Sequence, residues 1–296
     1  MSKEFNYSFI IPHKNCPDLL QRCVDSIPER DDVQVIVVDD NSDEGKKPAL
    51  KERKNLQVIL LDAEHSKGAG RARNVGLEHA EGKWLLFADA DDYYTDYLPT
   101  LLEKYADDES TDIVYLNASK FDENGKVTPF KTDRLIQNYI AGVKGAEMEL
   151  RYNLWTPWSR MVKKTIVDTN NIRFDELPAT NDKMFCLYCS YYSNTISVES
   201  NVVYKYFRPI KGSITDKQRD SKMLDDLLDV RCRTINLYRK VGYGNFPSFW
   251  SLLFKTSYVK NLSYYDVINR YIKILHDSHT NIFVDQVRFF KTLYRI

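Results

Sequence analysis

The sequence predicts an α/β protein: a mostly parallel, three-layer sheet followed by a helical C-terminal appendage. Three observations predict it. Short continuous apolar runs alternate with stretches of helical spacing, and such runs are what strands covered on both faces require. Acidic residues stand where two of the runs end, in VIVVDDNS and WLLFADADD. Past about residue 216 the strand alternation stops and the chain reads as helical and aromatic, so 1–215 and 216–296 are expected as two regions.

The elements follow in order. YSFII (7–11) is a short strand closed by Pro12. PDLLQRCVDSI (17–27) repeats apolar residues at Leu19, Leu20, Cys23, Val24 and Ile27, helical spacing with Pro17 in the first turn. VQVIVV (33–38) and LQVILL (56–61) are buried strands, and GAGRARNVGLEHA (68–80) is a helix closed by Gly82. WLLFA (84–88) is a strand, 96–106 a helix and DIVYLN (112–117) a strand. Asn124-Gly125 between extended segments signals a hairpin within 119–130. A helix near 133–150 follows, then the aromatic WTPWSRMV, a loop entering a helix over 172–192, and strands ISVES and VVYKYF over 196–207.

The chain has 296 residues, with 42 basic and 42 acidic side chains. A zero balance argues against a general nucleic-acid binder. With 43% hydrophobic and 13% aromatic residues the chain can bury a core. No apolar run approaches the roughly 20 residues of a membrane span, and the N-terminal apolar segment is too short for a signal peptide. A cytoplasmic protein with five reduced cysteines is expected. The CxxC of Cys186 and Cys189 has no second pair of matching spacing, so both are read as small buried hydrophobes.

WLLFADADDYY poses the functional question, because an apolar strand delivers Asp89, Asp91 and Asp92 to one place. Like charges that close repel, and a buried strand lowers the local dielectric. Parallel α/β sheets bind ligands at the carboxyl ends of their strands, so Asp39 and Asp40 should share one crevice with this cluster. Two carboxylates in D-x-D spacing suit magnesium or manganese, which often bind one or two carboxylates plus substrate phosphates. Turn or helix-cap duty is the other reading, above all for Asp92. HSKGAGRARN adds Lys67, Arg71 and Arg73 at a glycine-rich strand-to-helix turn, a place that favours anions, although a solvated helix face would look the same. The turn is not a dinucleotide fingerprint: Arg73 stands at the third glycine, and the turn follows the third strand rather than the first.

The ordered set FIIPHKN, LLQRCVDSI, VIVVDDNSDEG and KGAGRARNVGLEHAEGKWLLFADADDYY resembles the N-terminal half of a family 2 glycosyltransferase with the Rossmann-like GT-A fold. TPWSRMVKKTIVDTNNIRFDE, NDKMF and YKYFRPIKGSIT continue the likeness over roughly residues 5–215, most closely to bacterial capsule and exopolysaccharide enzymes. The resemblance implies a nucleotide-sugar donor, usually UDP-linked, an inverting mechanism, and a saccharide or lipid-linked acceptor. It implies that Pro12 borders the nucleoside pocket, Asp39 bonds the base and Asp40 supports that loop. Arg71 or Arg73 would lie near base or diphosphate, with Lys67 beside them. Asp89 would sit near ribose and metal, Asp91 would coordinate the Mn2+ or Mg2+, and Asp182 would be the general base. The family often has Glu-Asp where this chain has Asn181-Asp182, and an aromatic or aliphatic residue with tyrosine where it has His13 and Lys14. If Asp182 only caps a helix, Asp175 and Glu176 are the next candidates.

Further residues carry two readings each. Trp155 and Trp158 would stack on an acceptor sugar or belong to the core. Arg160 would reach the acceptor or bridge surface carboxylates. Arg208, Lys211 and Ser213 would fold over donor phosphates or form a solvated loop. The amphipathic 280–296, with Ile282, Phe283, Val287, Phe290 and Leu293 opposed by Arg288, Lys291 and Arg295, would touch an anionic membrane peripherally, pack in the core or form a dimer interface. Two other functions compete with the transferase. One is a sugar-phosphate nucleotidyltransferase, against which the glycine-free IPHKNCPD counts. The other is a non-catalytic nucleotide-sugar-binding scaffold subunit.

Overall fold

A computed structural model of the chain describes residues 4–122, 124–208, 221–244, 246, 248–253 and 262–294. The chain divides into two compact units, Met1–Lys211 and Gly212–Ile296. Among the described residues of the first, nine strands form one sheet, ordered β3-β2-β1-β4-β8-β6-β9-β5 with β7 paired to β6. In chain order the strands are β1 Tyr7–His13, β2 Val33–Asp39, β3 Leu56–Leu60, β4 Trp84–Phe87, β5 Tyr93–Tyr94, β6 Ile113–Phe121, β7 Val127–Pro129, β8 Arg160–Lys163 and β9 Ile196–Phe207. The helices between them are α1 Pro17–Asp25, α2 Ala69–His79, α3 Leu98–Tyr105, α4 Lys131–Ile140, α5 Ala146–Asn153, α6 Lys164–Thr169 and α7 Lys183–Tyr192.

The apolar runs are continuous because both faces of the sheet are covered. Along β1, β2 and β4, the residues Phe9, Ile11, Val35, Val37, Trp84 and Leu86 pack with Leu20, Cys23 and Val24 of α1. Their neighbours Ile10, Ile36, Val38, Leu85 and Phe87 pack with Ala72 and Val75 of α2. The period of two thus sends alternate residues of one strand into two cores.

β1 pairs in parallel with both β2 and β4, and β2 with β3, so all four strands run the same way and the order in which strands are added reverses at β1. That is a topological switch point, whose carboxyl ends form the crevice. Beyond it the sheet is mixed. β8 is antiparallel to β4 and β6, and β5 to β9, while β6 and β9 are parallel.

Several local expectations change. LQVILL is not fully buried: β3 is the edge strand, and Val58 and Leu60 face out. The helix expected near 133–150 is two, α4 and α5, separated where Gly142 and Gly145 take φ of 67° and 81°. The two strands expected over 196–207 are one, β9, bulged opposite Leu116 to Ala118. The hairpin at Asn124-Gly125 forms, with Ser119 opposite Pro129.

The second unit is helical, with helices Ser221–Lys240, Trp250–Leu253, Tyr264–Asp277 and Ile282–Tyr294. Leu224, Leu228, Ile235, Phe249, Leu253 and Tyr271 pack at its centre. Buried Asp285 accepts from the backbone N–H of Phe249 and from Tyr271 Oη. Ile282, Phe283, Val284, Val287 and Phe290 are exposed. No helix among the described residues is long and apolar enough to cross a membrane.

Candidate active site

The ends of β2 and β4 carry the expected carboxylates, in different states, and the end of β1 faces them with His13. Asp39 is sealed, at 1% exposure. Its Oδ1 lies 2.7 Å from His13 Nδ1 and accepts from Ser42 Oγ at 2.5 Å, while Oδ2 accepts from Ser42 N at 3.0 Å. The carboxylate therefore fixes the β1 and β2 ends to each other, and the expected contact with a base is not open to it in this conformation. Asp40 accepts from Gly68 N at 3.1 Å and from Lys14 Nζ at 3.3 Å, tying the glycine-rich turn to β2. Gly68 has φ of +86°, a conformation glycine adopts without strain. Pro12 is buried between these strands, in register with Val38.

The three aspartates after β4 separate by environment. Asp92 is fully buried and structural. Its Oδ1 accepts from Phe207 N at 2.7 Å and its Oδ2 from Tyr204 Oη at 2.8 Å, while Tyr204 Oη accepts from Asp89 N. Burial, then Asp89 and Asp91, push its carboxyl well up. Asp91 is partly buried, and burial followed by the charge of Asp89 raises it to about 6. Arg22 donates to the backbone carbonyl of Asp91 at 2.6 Å, and its guanidinium lies over the rings of Tyr93 and Phe121. Asp89, a third exposed at its side chain, accepts from Arg73 Nη2 at 2.5 Å.

These residues fit a hard divalent cation. Two neighbouring carboxylates, one of them raised by burial and by the charge of the other, form an oxygen donor set that a positive charge would relieve. Among the described residues no group of three His, Cys, Asp or Glu side chains converges, so other oxygens would have to complete the shell. Substrate phosphates do so in many magnesium and manganese sites.

Asp182 stands at the residue before α7, as helix-cap spacing suggests, but its side chain makes no capping hydrogen bond. Burial raises its carboxyl; Arg73 pulls it down and Asp89 pushes it up. Arg73 is 5% exposed, and besides Asp89 its Nη1 donates to Asn181 Oδ1 at 3.0 Å. Arg73 is thus committed inside the protein rather than displayed on a helix face. Arg71 and Lys67 remain partly exposed and flank Glu176, at 3.6 Å and 3.5 Å.

Two expected acceptor residues are corrected. Trp158 is 3% exposed and stacks on Tyr204 and Tyr206 at centroid distances of 4.8 Å and 5.4 Å. It is core, because the aromatic strand β9 covers it. Arg160 is fully buried: its guanidinium donates to the carbonyls of Cys186, at 2.8 Å, and Leu154. It can reach neither an acceptor nor a surface carboxylate, since it serves carbonyls within α7 and just after α5. Trp155 stays half-buried, with the ammonium groups of Lys183 and Lys131 at 4.1 Å and 5.0 Å from its ring. Arg208 is exposed at the end of β9, where its N–H donates to Phe121 O at 2.9 Å. Lys211, Ser213 and Arg295 lie outside the described residues, as do the side chains of Lys291 and Leu293.

Sequence reading missed Arg22, Tyr204 and the role of Asn181. Arg22 falls in a helix read only for its apolar face. Tyr204 meets Asp92 across 112 residues of chain, which no local spacing signals.

Taken together, a parallel sheet with a switch-point crevice and carboxylates at its strand ends defines the chain as an α/β protein with a ligand site of the kind such sheets carry. The family model described as glycosyl transferase family 2 matches residues 8–162, over half the chain, and the chain belongs to that family. The poly(ribitol-phosphate) beta-N-acetylglucosaminyltransferase TarS of Staphylococcus aureus is 27% identical over 214 residues, 70% of this chain and 36% of TarS. This chain therefore spans only about a third of that relative's length. The UDP-Glc:alpha-D-GlcNAc-diphosphoundecaprenol beta-1,3-glucosyltransferase WfaP of Escherichia coli is 24% identical over 212 residues, 70% of this chain and 79% of WfaP. The crystal structure of S. aureus TarS 1-349 in complex with UDP-GlcNAc superposes with a TM-score of 0.65 at 19% identity, covering 93% of this chain and 80% of that one. The shared fold is the GT-A fold expected from the sequence.

Proposed function

We propose that the first unit is an inverting, metal-dependent glycosyltransferase that moves a sugar from a UDP-sugar to a saccharide or lipid-linked saccharide acceptor. The observation that carries this reading is Asp182: a carboxylate raised by burial, without a capping bond, next in sequence to Asn181, which shares the Arg73 guanidinium with Asp89. In this reading Asp182 takes the proton of the attacking hydroxyl, a role worth typically 10²–10⁴-fold in rate. Asp91 and Asp89 would hold Mn2+ or Mg2+, which supplies charge neutralisation on the donor's diphosphate. Lys67, Arg71 and Arg208 are exposed enough to meet the same diphosphate. Pro12 and the Asp39–Asp40 turn would shape the nucleoside pocket from below, and Trp155 is the aromatic face left for an acceptor sugar.

The donor is proposed as UDP-linked because TarS binds UDP-GlcNAc and WfaP is named for UDP-glucose. WfaP's lipid-diphosphate acceptor supports the lipid-linked alternative, and the exposed apolar face of Ile282–Tyr294 would suit peripheral contact with a membrane.

Thermal stability with UDP, GDP, ADP and CMP, each with and without manganese, tests the donor site. A UDP shift that needs manganese and vanishes in Asp91→Ala supports it. Asp182→Asn should then abolish turnover and spare UDP binding. Normal turnover in Asp182→Asn would remove the base assignment, and UDP binding without turnover by the native chain would favour a scaffold subunit.

A further inference from the structure

Helix α2 meets the segment that carries Asp182 along one face, at positions three and four residues apart. Gly70 lets the segment in: a Cβ there would lie 2.1 Å from the carbonyl oxygen of Asp175 and 3.1 Å from Asn181 Cβ. Asn74 grips its start through two reciprocal bonds, Nδ2 donating to Phe174 O at 3.0 Å and Oδ1 accepting from Phe174 N at 2.8 Å. Arg73 grips its end through Asn181, with the guanidinium also 5.4 Å from the Phe174 ring centroid. The segment closes on itself where Asp175 N donates to Asn181 O at 3.0 Å. Positions 70, 73 and 74 share a helix face, so one rigid surface holds both ends of the loop.

The other arm of Arg73 holds Asp89 on the donor side. We infer that Arg73 is a positioning residue, which through Asn181 sets the distance between the segment bearing Asp182 and the donor-side carboxylate Asp89. This rests on Asp182 being the base. The planar fork of arginine suits two acceptors at once, which a lysine ammonium on a single flexible stem does not. The amide at 181 also matters. It accepts the hydrogen bond without adding a negative charge, so the charge of Arg73 remains available to Asp89 and Asp182. A carboxylate in its place would take part of that charge and push Asp182 further up.

The test uses the full chain and four variants. Asn181→Ala removes the acceptor without touching Asp89 or Asp182, Arg73→Lys keeps the charge but not the fork, Asn181→Asp adds a charge, and Asp182→Asn is the reference. Hydrolysis of UDP-N-acetylglucosamine with manganese is followed across pH, UDP affinity by calorimetry, and backbone hydrogen exchange over residues 174–186 by mass spectrometry. Expected are a kcat lowered roughly 10- to 100-fold in Asn181→Ala and Arg73→Lys, unchanged UDP affinity in Asn181→Ala, and faster exchange over 174–182. In Asn181→Asp the acidic limb of the kcat/KM profile should move to higher pH.

Unchanged kcat and exchange in Asn181→Ala, with Asp182→Asn inactive, overturn the positioning role and leave the base assignment standing. A fall in UDP affinity that accounts for the whole loss of rate in Asn181→Ala also overturns it. An active Asp182→Asn overturns both. Hydrogen exchange needs no turnover, so it decides the case if this donor is not hydrolysed.

Discussion

His13 and Asp39 form a buried pair across two parallel strands, Nδ1 to Oδ1 at 2.7 Å. The tautomer follows from the other side of the ring, where Cys16 N donates to His13 Nε2 at 3.2 Å. Nε2 is then the acceptor, and Nδ1 carries the proton toward Asp39. The pair joins the start of α1 to the end of β2, so the floor of the crevice is braced before any ligand arrives.

His13→Ala should therefore act through stability first. It leaves Asp39 sealed with only the two donors of Ser42, and an under-satisfied buried carboxylate costs about 1–3 kcal/mol. Urea denaturation monitored by circular dichroism would read this. A variant as stable as the parent would mean that Ser42 alone satisfies Asp39.

Asp91 makes stability depend on pH. Its carboxyl is raised from 3.8 to about 6, by burial first and Asp89 second. Between those values the folded state holds a proton that the unfolded chain has lost, so stability should fall as pH rises from 3.8 to about 6 and stay low above it. Asp91→Asn should raise stability at neutral pH by about 2 kcal/mol, allowing for partial exposure, and abolish any manganese-dependent shift with UDP. Denaturation at pH 4 and pH 7.5 checks the sign. Equal stability gains at both pH values would rule out the charge as the cause.

Much of the fold and part of the candidate site were legible in the sequence, for a physical reason. Strands covered on both faces leave uninterrupted apolar runs, and strand ends leave carboxylates just after them, so β1, β2, β4 and the acidic crevice could be read locally. Trp158 and Arg160 could not. A tryptophan and an arginine beside a ligand loop look alike whether exposed or buried, and only the return of β9 and α7, tens of residues later, decides. Asp92 stood out in the sequence only as turn or cap material, and its partners Tyr204 and Phe207, more than a hundred residues away, could not be read there. β3 misread as buried because edge position is a property of the sheet, not of LQVILL.

Arg160 predicts a stability defect rather than a kinetic one. Its guanidinium satisfies two backbone carbonyls in a site that excludes water. Arg160→Ala would leave the Leu154 carbonyl without its donor, while Ser190 Oγ still serves Cys186 O, and would open a cavity, for a cost of about 3–5 kcal/mol. The melting temperature should fall sharply, and any protein that remains folded should keep its KM for acceptor. A raised acceptor KM at unchanged melting temperature would reinstate the surface reading.

Gly70→Ala addresses the contact between α2 and the loop with a single methyl group. Alanine is the better helix former, by up to about 1 kcal/mol in a helix interior and less in the first turn where Gly70 sits, so propensity alone makes the variant more stable. Sterics oppose it. The new Cβ would sit 2.1 Å from the carbonyl oxygen of Asp175, a backbone atom that cannot rotate away like a side chain. Either α2 or the 175–181 segment must move, and α2 is fixed by Ala72 and Val75 in the core under β1 and β2. The segment should yield, carrying Asn181 off Arg73 and Asp182 off its place. The expected outcome is a small change in melting temperature, within about 1 kcal/mol because gained propensity offsets lost contacts, with kcat for donor hydrolysis reduced far more than UDP affinity. A variant that is more stable and fully active would show that the segment can leave α2 without consequence for the reaction.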